Sequence, residues 1–222
     1  MGERVNYRLP RVLLTLIAAL LLAFVIGYIG VSGFGGEPIG VEKASAYPGE
    51  YIEDIAYTAA VDANALWRDY FAYHDDPWED VQNLVFVCNQ GASYNTGNMN
   101  IYYDTCWDSN NWGDGAIAAI VAHEVAHHAQ NMAGIYKEQH LTVHTELQAD
   151  CLAGVYMADA WHRGMLDGDD LQQAEDWFLD HGDYASWEDV DHHGNGEERL
   201  AWFDHGWTTE EPGECARALY LP

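Results

Sequence analysis

Apolar and polar positions alternate along this chain in two distinct ways. From Val12 to Gly36 there is no charged residue, and Val12–Val31 supplies 20 mostly apolar positions, long enough to span a bilayer as a helix. Gly33-Phe34-Gly35-Gly36-Glu37-Pro38 follows as a linker. From Glu50 to Tyr73 the apolar positions Ile52, Ile55, Ala56, Ala59, Leu66, Trp67, Tyr70 and Phe71 recur at helical spacing until Pro77-Trp78 ends the pattern. Asn83–Cys88 and Met99–Asp104 read as strands joined by a Gly/Asn/Ser-rich turn, which predicts a hairpin. Further helical patterns run through Gly113–Gly134, Leu141–Gly154, Asp170–Leu179 and Glu197–Phe203, with no internal repeat. The expectation is an α+β domain, mainly helical with a small β-sheet, behind one N-terminal transmembrane helix. The predicted segments are residues 1–11 as cytoplasmic N-terminus, 12–34 as signal anchor, 35–48 as linker and 49–222 as the folded domain.

Charge sets the orientation of that anchor. Arg4, Arg8 and Arg11 precede the apolar run, so the positive-inside rule leaves the N-terminus in the cytoplasm and the domain outside the cell membrane. Ala44-Ser45-Ala46 has the form of a signal-peptidase site but stands some 15 residues past the run, so an uncleaved anchor is the preferred reading. The chain carries 36 acidic and 9 basic residues, a formal net charge of −27, and its two lysines are Lys43 and Lys137. Such a surface repels nucleic acid. Dense carboxylate with scarce lysine is also what near-saturated salt tolerates, because screening removes the self-repulsion, and it predicts a halophilic archaeal host, an acidic patch for a basic partner or substrate being the other reading. Cys88, Cys106, Cys151 and Cys215 are even in number and show no Cys-x-x-Cys spacing. Outside a membrane they suit disulfides, and the preferred pairing is Cys88 with Cys106, across the hairpin, and Cys151 with Cys215.

The chemistry lies in Val121-Ala122-His123-Glu124-Val125-Ala126-His127-His128. Residues four apart share a helix face, so His123 and His127 can point at one metal ion while Glu124 stands beside them as a base. Downstream, Glu146 and Asp150 are again four apart, within Glu146-Leu147-Gln148-Ala149-Asp150-Cys151. Glu146 is taken as the third ligand. Asp150 is taken as the partner of a ligating ring, His123 being preferred. His144 and His140 compete with Glu146, but His144 lies about 200° around the helix from the Glu146/Asp150 face. His128 points away from the metal face and is read as packing or hydrogen-bonding. His193 is a candidate for stabilising the oxyanion of a tetrahedral intermediate, with a loop-holding role as its rival. Tyr156 and Tyr103 are weaker candidates for that job. Ile101–Asp104 is the candidate edge strand for a substrate backbone, an ordinary sheet strand being the other reading. Asp167-Gly168-Asp169-Asp170 lacks the spacing of a calcium loop and is read as a helix cap.

The blocks HEVAHHAQ and ELQADCLAG, with Asp191-His192-His193-Gly194-Asn195-Gly196-Glu197-Glu198-Arg199 and Trp202-Phe203, resemble the bacterial and archaeal neutral zinc metallopeptidase family over about Leu84 to Cys215. The resemblance implies a zincin-like domain holding one Zn2+ per chain and acting on peptides or proteins, often behind an N-terminal membrane anchor. It maps His123, His127 and Glu146 onto metal ligands and Glu124 onto the catalytic base. Two departures stand out: Ala126 replaces a usual Gly, and Asn195-Gly196-Glu197 replaces Thr-x-x-Gln-like residues, which bears on any role carried to His193. The alternative from another class is a zinc-bearing but catalytically silent membrane protein acting in binding or chaperoning, and a second rival is a zinc hydrolase acting on a non-peptide bond.

Overall fold

The computed structural model describes residues 39–43, 50–106, 111–138 and 140–221. Residues 1–11, the anchor at 12–34 and most of the linker at 35–48 lie outside them. Among the described residues no helix is long and apolar enough to cross a membrane.

The chain order is β1 (Gly40–Lys43), α1 (Glu50–Tyr73), β2 (Asn83–Val87), β3 (Ser93–Asn95), β4 (Asn100–Asp104), α2 (Asp114–Ala133), α3 (Thr142–His162), α4 (Asp170–Asp180), α5 (Gly196–Thr209) and α6 (Pro212–Cys215), with a short 3-10 turn after α2 and another after α6. This is the expected α+β architecture, mainly helical with one small sheet.

The core is built around α2. Gly113, at φ 109°, leads into it, and Gly134, in the left-handed conformation, ends it by donating back to the Gln130 and Asn131 carbonyls. Every residue from Gly115 to Gln130 is buried. A helix buried on all sides belongs at the centre of a domain, and α1, α3 and α4 pack around it. Its small residues allow this: a Cβ on Gly115 would overlap the backbone of Asp170, so α4 approaches at backbone distance. α3 crosses α5 at backbone distance as well. Gly154 faces the Phe203 carbonyl and Gly206 faces the Cys151 carbonyl, and a Cβ at either position would overlap that oxygen. The Cys151–Cys215 disulfide closes the same region by joining α3 to the end of α6.

The sheet corrects the expected hairpin. Its order is β1-β2-β4-β3. β2 and β4 are parallel, with Leu84 opposite Ile101 and Phe86 opposite Tyr103. The hairpin is instead β3–β4, where Tyr94 pairs with Ile101. Its turn is held by Met99 N donating to the Asn95 carbonyl and by Asn95 Oδ1 accepting from Gly97 and Asn98. The segment read as a long turn thus contains a third strand, which sends β4 back alongside β2. Cys88–Cys106 therefore ties together the same ends of two parallel strands.

Candidate metal centre

His123 and His127 are buried on one face of α2, and Glu146 reaches them from α3. His123 Nε2 lies 3.2 Å from Glu146 Oε2, and His127 Nε2 lies 3.4 Å from Glu146 Oε1. All three ligand atoms fall within 4.8 Å of one another. Atoms bound tetrahedrally at zinc–nitrogen and zinc–oxygen distances stand about 3.3 Å apart, so the residues present fit a zinc ion. The chemistry of the set fits too: two imidazoles, one carboxylate and an open side toward solvent.

The outward nitrogens of both rings are held. His123 Nδ1 sits 2.7 Å from Asp150 Oδ1, close enough for a strong charge interaction although its N–H is not aligned on that oxygen. His127 Nδ1 is 2.8 Å from Gln130 Oε1 and 2.9 Å from the Tyr136 hydroxyl. Gln130 is in turn fixed by donating to the Thr145 carbonyl and to Gln148 Oε1 on α3. Both Nε2 atoms are thereby turned toward Glu146, the orientation that metal-ligating histidines need.

Behind Asp150 stands Arg199. It is only 4% exposed, and its Nε and Nη2 donate to the two Asp150 oxygens at 3.0 and 2.9 Å. Its Nη1 donates to the His181 carbonyl at 2.8 Å, and its guanidinium lies 5.2 Å from the ring centres of Trp177 and Phe178. Burial alone favours a neutral Asp150, but Arg199 and His123 outweigh it and hold the carboxyl below its usual range. Burial likewise opposes charge on His123, yet Asp150 and Glu146 push its pKa up to about 10. For His127, Glu146 overrides burial and raises the pKa, and Glu146 itself is held well below the ordinary carboxylate range against its burial, chiefly by His127. The centre is therefore built to carry positive charge, supplied by protons or by a metal. Glu124, also buried, goes the other way: desolvation raises its pKa and the two histidines only partly offset this. That shift suits a base that must release its proton again.

These groups open into a cleft of about 660 Å³. One part of its lining is Ala92, Ser93, Tyr94 and Thr96 from β3 and its flanks; another is Trp177, Asp180, His181 and Gly182 from the end of α4. The strand at the cleft is thus β3. β4, the sequence candidate, is interior because β3 covers its outer edge. His128 holds this edge in place: its Nε2 donates to the Glu79 carbonyl at 2.7 Å, leaving Nδ1 to accept from the Tyr94 hydroxyl at 2.9 Å.

The other sequence candidates fall in different places. His193 lines the cleft with its side chain half exposed, and its backbone N–H donates to Asp183. His144 packs on Trp187, and His140 pairs with Glu138. Tyr103 and Tyr156 are buried and do not line the cleft. Asp170 Oδ2 accepts from Asp167 N, a capping-type contact at the start of α4. Sequence reading missed Arg199, Gln130, Tyr136 and Asp180. Arg199 had a usable signal, being one of 9 basic residues in so acidic a chain.

The model of a family described as "Putative neutral zinc metallopeptidase" matches residues 53–217. Among curated proteins, "Uncharacterized protein YpfJ" of Escherichia coli (strain K12) is similar, 27% identical over 241 residues that cover 88% of this chain and 84% of that one. The protein of the same description from Escherichia coli O6:H1 matches to the same extent. No solved structure matches.

Proposed function

The chain belongs to the neutral zinc metallopeptidase family, and from that premise we propose that it is a zincin-like, membrane-anchored peptidase hydrolysing peptide bonds outside the cell. The observation that carries this reading is the set of three ligand atoms from His123, His127 and Glu146, with the buried carboxyl of Glu124 beside them in an open cleft. Zinc, when bound, supplies Lewis acidity at the scissile carbonyl. Glu124 accepts a proton from the attacking water as its oxygen bonds to the carbonyl carbon. It then delivers that proton to the amine as the C–N bond breaks. Asp150 and Gln130 hold the two imidazoles in register. β3 offers its free edge to the substrate backbone, and His193 is assigned to the oxyanion.

The anchored, outward orientation rests on the apolar run Val12–Val31 behind Arg4, Arg8 and Arg11. The two disulfides suit the same oxidising side of a membrane, and the charge of −27 suits a halophilic host.

The test is digestion of an unbiased peptide mixture by the full chain, zinc-loaded in molar KCl and a mild detergent, with products read by mass spectrometry. Cleavage that a chelator abolishes and zinc restores supports a peptidase. Stoichiometric zinc without cleavage of any peptide supports the silent binding protein instead.

A further inference from the structure

We infer that this cleft selects substrates carrying a cationic side chain, lysine or arginine, through Asp180. The inference rests on the peptidase reading and adds a substrate class to it.

The charges around the cleft are nearly all matched within the protein. Glu146 is committed to His123 and His127. Glu124 is buried beside the same two rings. The guanidinium of Arg199 is spent on Asp150. A zinc dication would balance Glu146 and Glu124 together, leaving the floor of the cleft near neutral. His193 stands at the rim with Asp183 as its acidic neighbour. Asp180 remains. It lines the cleft and is exposed, and no hydrogen bond or ion pair engages its carboxylate among the described residues.

Its position strengthens the case. Trp177, Asp180 and His181 are three and four residues apart, so they share the face of α4 that borders the cleft. Asp180 is the last residue of that 11-residue helix; Arg199 caps the helix end at the His181 carbonyl and pairs with Asp150, leaving the Asp180 carboxylate to the cleft. A lysine or arginine side chain entering here meets that unpaired carboxylate. An acidic side chain is repelled by it. No lysine of the described chain lines the cleft to reverse that preference.

The experiment uses the full zinc-loaded chain and a set of quenched fluorescent peptides identical except for one position, which is scanned through each place around the scissile bond with Lys, Arg, Gln or Glu. Asp180→Asn and Asp180→Lys are compared with wild type, and Asp69→Asn, an exposed carboxylate on α1 away from the cleft, controls for net charge. The wild type is expected to prefer Lys and Arg at one position. Asp180→Asn should lower kcat/KM for those peptides by about 2- to 5-fold, the range of a partly screened ion pair, and leave the Gln peptide unchanged. Asp180→Lys should invert the order toward Glu, and Asp69→Asn should change nothing. An unchanged Lys/Gln ratio in Asp180→Asn, or an equal change in Asp69→Asn, overturns the inference while the peptidase reading stands. If no peptide is cut, the peptidase reading falls. Binding of the labelled Lys and Glu peptides to zinc-loaded Glu124→Gln, with and without Asp180→Asn, then decides on Asp180 separately. Equal affinities in the two backgrounds overturn it.

Discussion

Replacing Arg199 by Gln should damage the metal centre without touching a ligand. Arg199 makes two charge-assisted hydrogen bonds to Asp150 and one to the His181 carbonyl, all inside the protein. Removing one partner of a buried ion pair strands the other charge, at a cost of about 3–5 kcal/mol. For a domain of this size each kcal/mol moves Tm by roughly 2–4 °C, so the expected drop is about 6–20 °C. Asp150 would also lose the group that keeps it ionised, and His123 would lose its fixed neighbour. Loss of an outer partner of this kind weakens zinc binding by roughly 10- to 100-fold. The assay is calorimetric Tm together with competitive zinc titration, on wild type, Arg199→Gln, Asp150→Asn and the double variant. Both residues act on one interaction, so the double variant should lose less than the sum of the singles, by about 1–3 kcal/mol. Additive losses in Tm and zinc affinity would refute the idea that Arg199 works through Asp150.

Three further outcomes are expected. Glu146→Gln should lose more zinc affinity than the roughly 10- to 100-fold of an outer-shell change, whereas His144→Ala, whose ring packs on Trp187, should keep full zinc stoichiometry by elemental analysis; the reverse result removes Glu146 from the ligand set. Replacing Cys151 and Cys215 by Ala opens a 64-residue loop and should cost about 4 kcal/mol in denaturant unfolding, with an unchanged midpoint counting against that tie. Asp183, which accepts from the backbone of His193 and Ala185 and pairs with His192, has its pKa lowered to about 2, burial being outweighed by these bonds. A depressed carboxyl stabilises above its unfolded pKa near 4 and loses that stabilisation as pH falls toward 2. Since its side chain is 37% exposed, the wild-type advantage over Asp183→Asn should be no more than about 1 kcal/mol at pH 6 and should shrink between pH 4 and pH 2; a difference that does not vary with pH contradicts it.

The helices were legible because their signals are local. Gly113 and Gly134 bracket α2, and the periodic apolar positions of Glu50–Tyr73 mark α1. The spacing of His123, His127, Glu146 and Asp150 pointed to residues that the structure brings to one centre. The sheet was less legible because pairing is not local. Strand β3 has three residues, too few for an alternating pattern, and its presence changes β2 and β4 from hairpin partners into parallel neighbours. The same strand displaces β4 from the cleft. Arg199 was hard to place because nothing in Glu197-Glu198-Arg199 says the guanidinium turns inward; that follows from the close crossing of α3 and α5 at Gly154 and Gly206, which brings Asp150 within its reach. Asp180 reads in the sequence as one more acid in an acidic chain, and only the position of the end of α4 at the cleft sets it apart.

Glu124 is proposed to move the proton in a zinc-dependent cleavage, and Glu124→Gln removes that base while keeping the side chain's size. Zinc stoichiometry and peptide turnover are measured on the same preparations of wild type and variant in molar KCl. Full zinc occupancy in both, with turnover reduced by roughly 10²- to 10⁴-fold in the variant, is the predicted result. Equal turnover in the two proteins at equal occupancy would show that Glu124 is not the base.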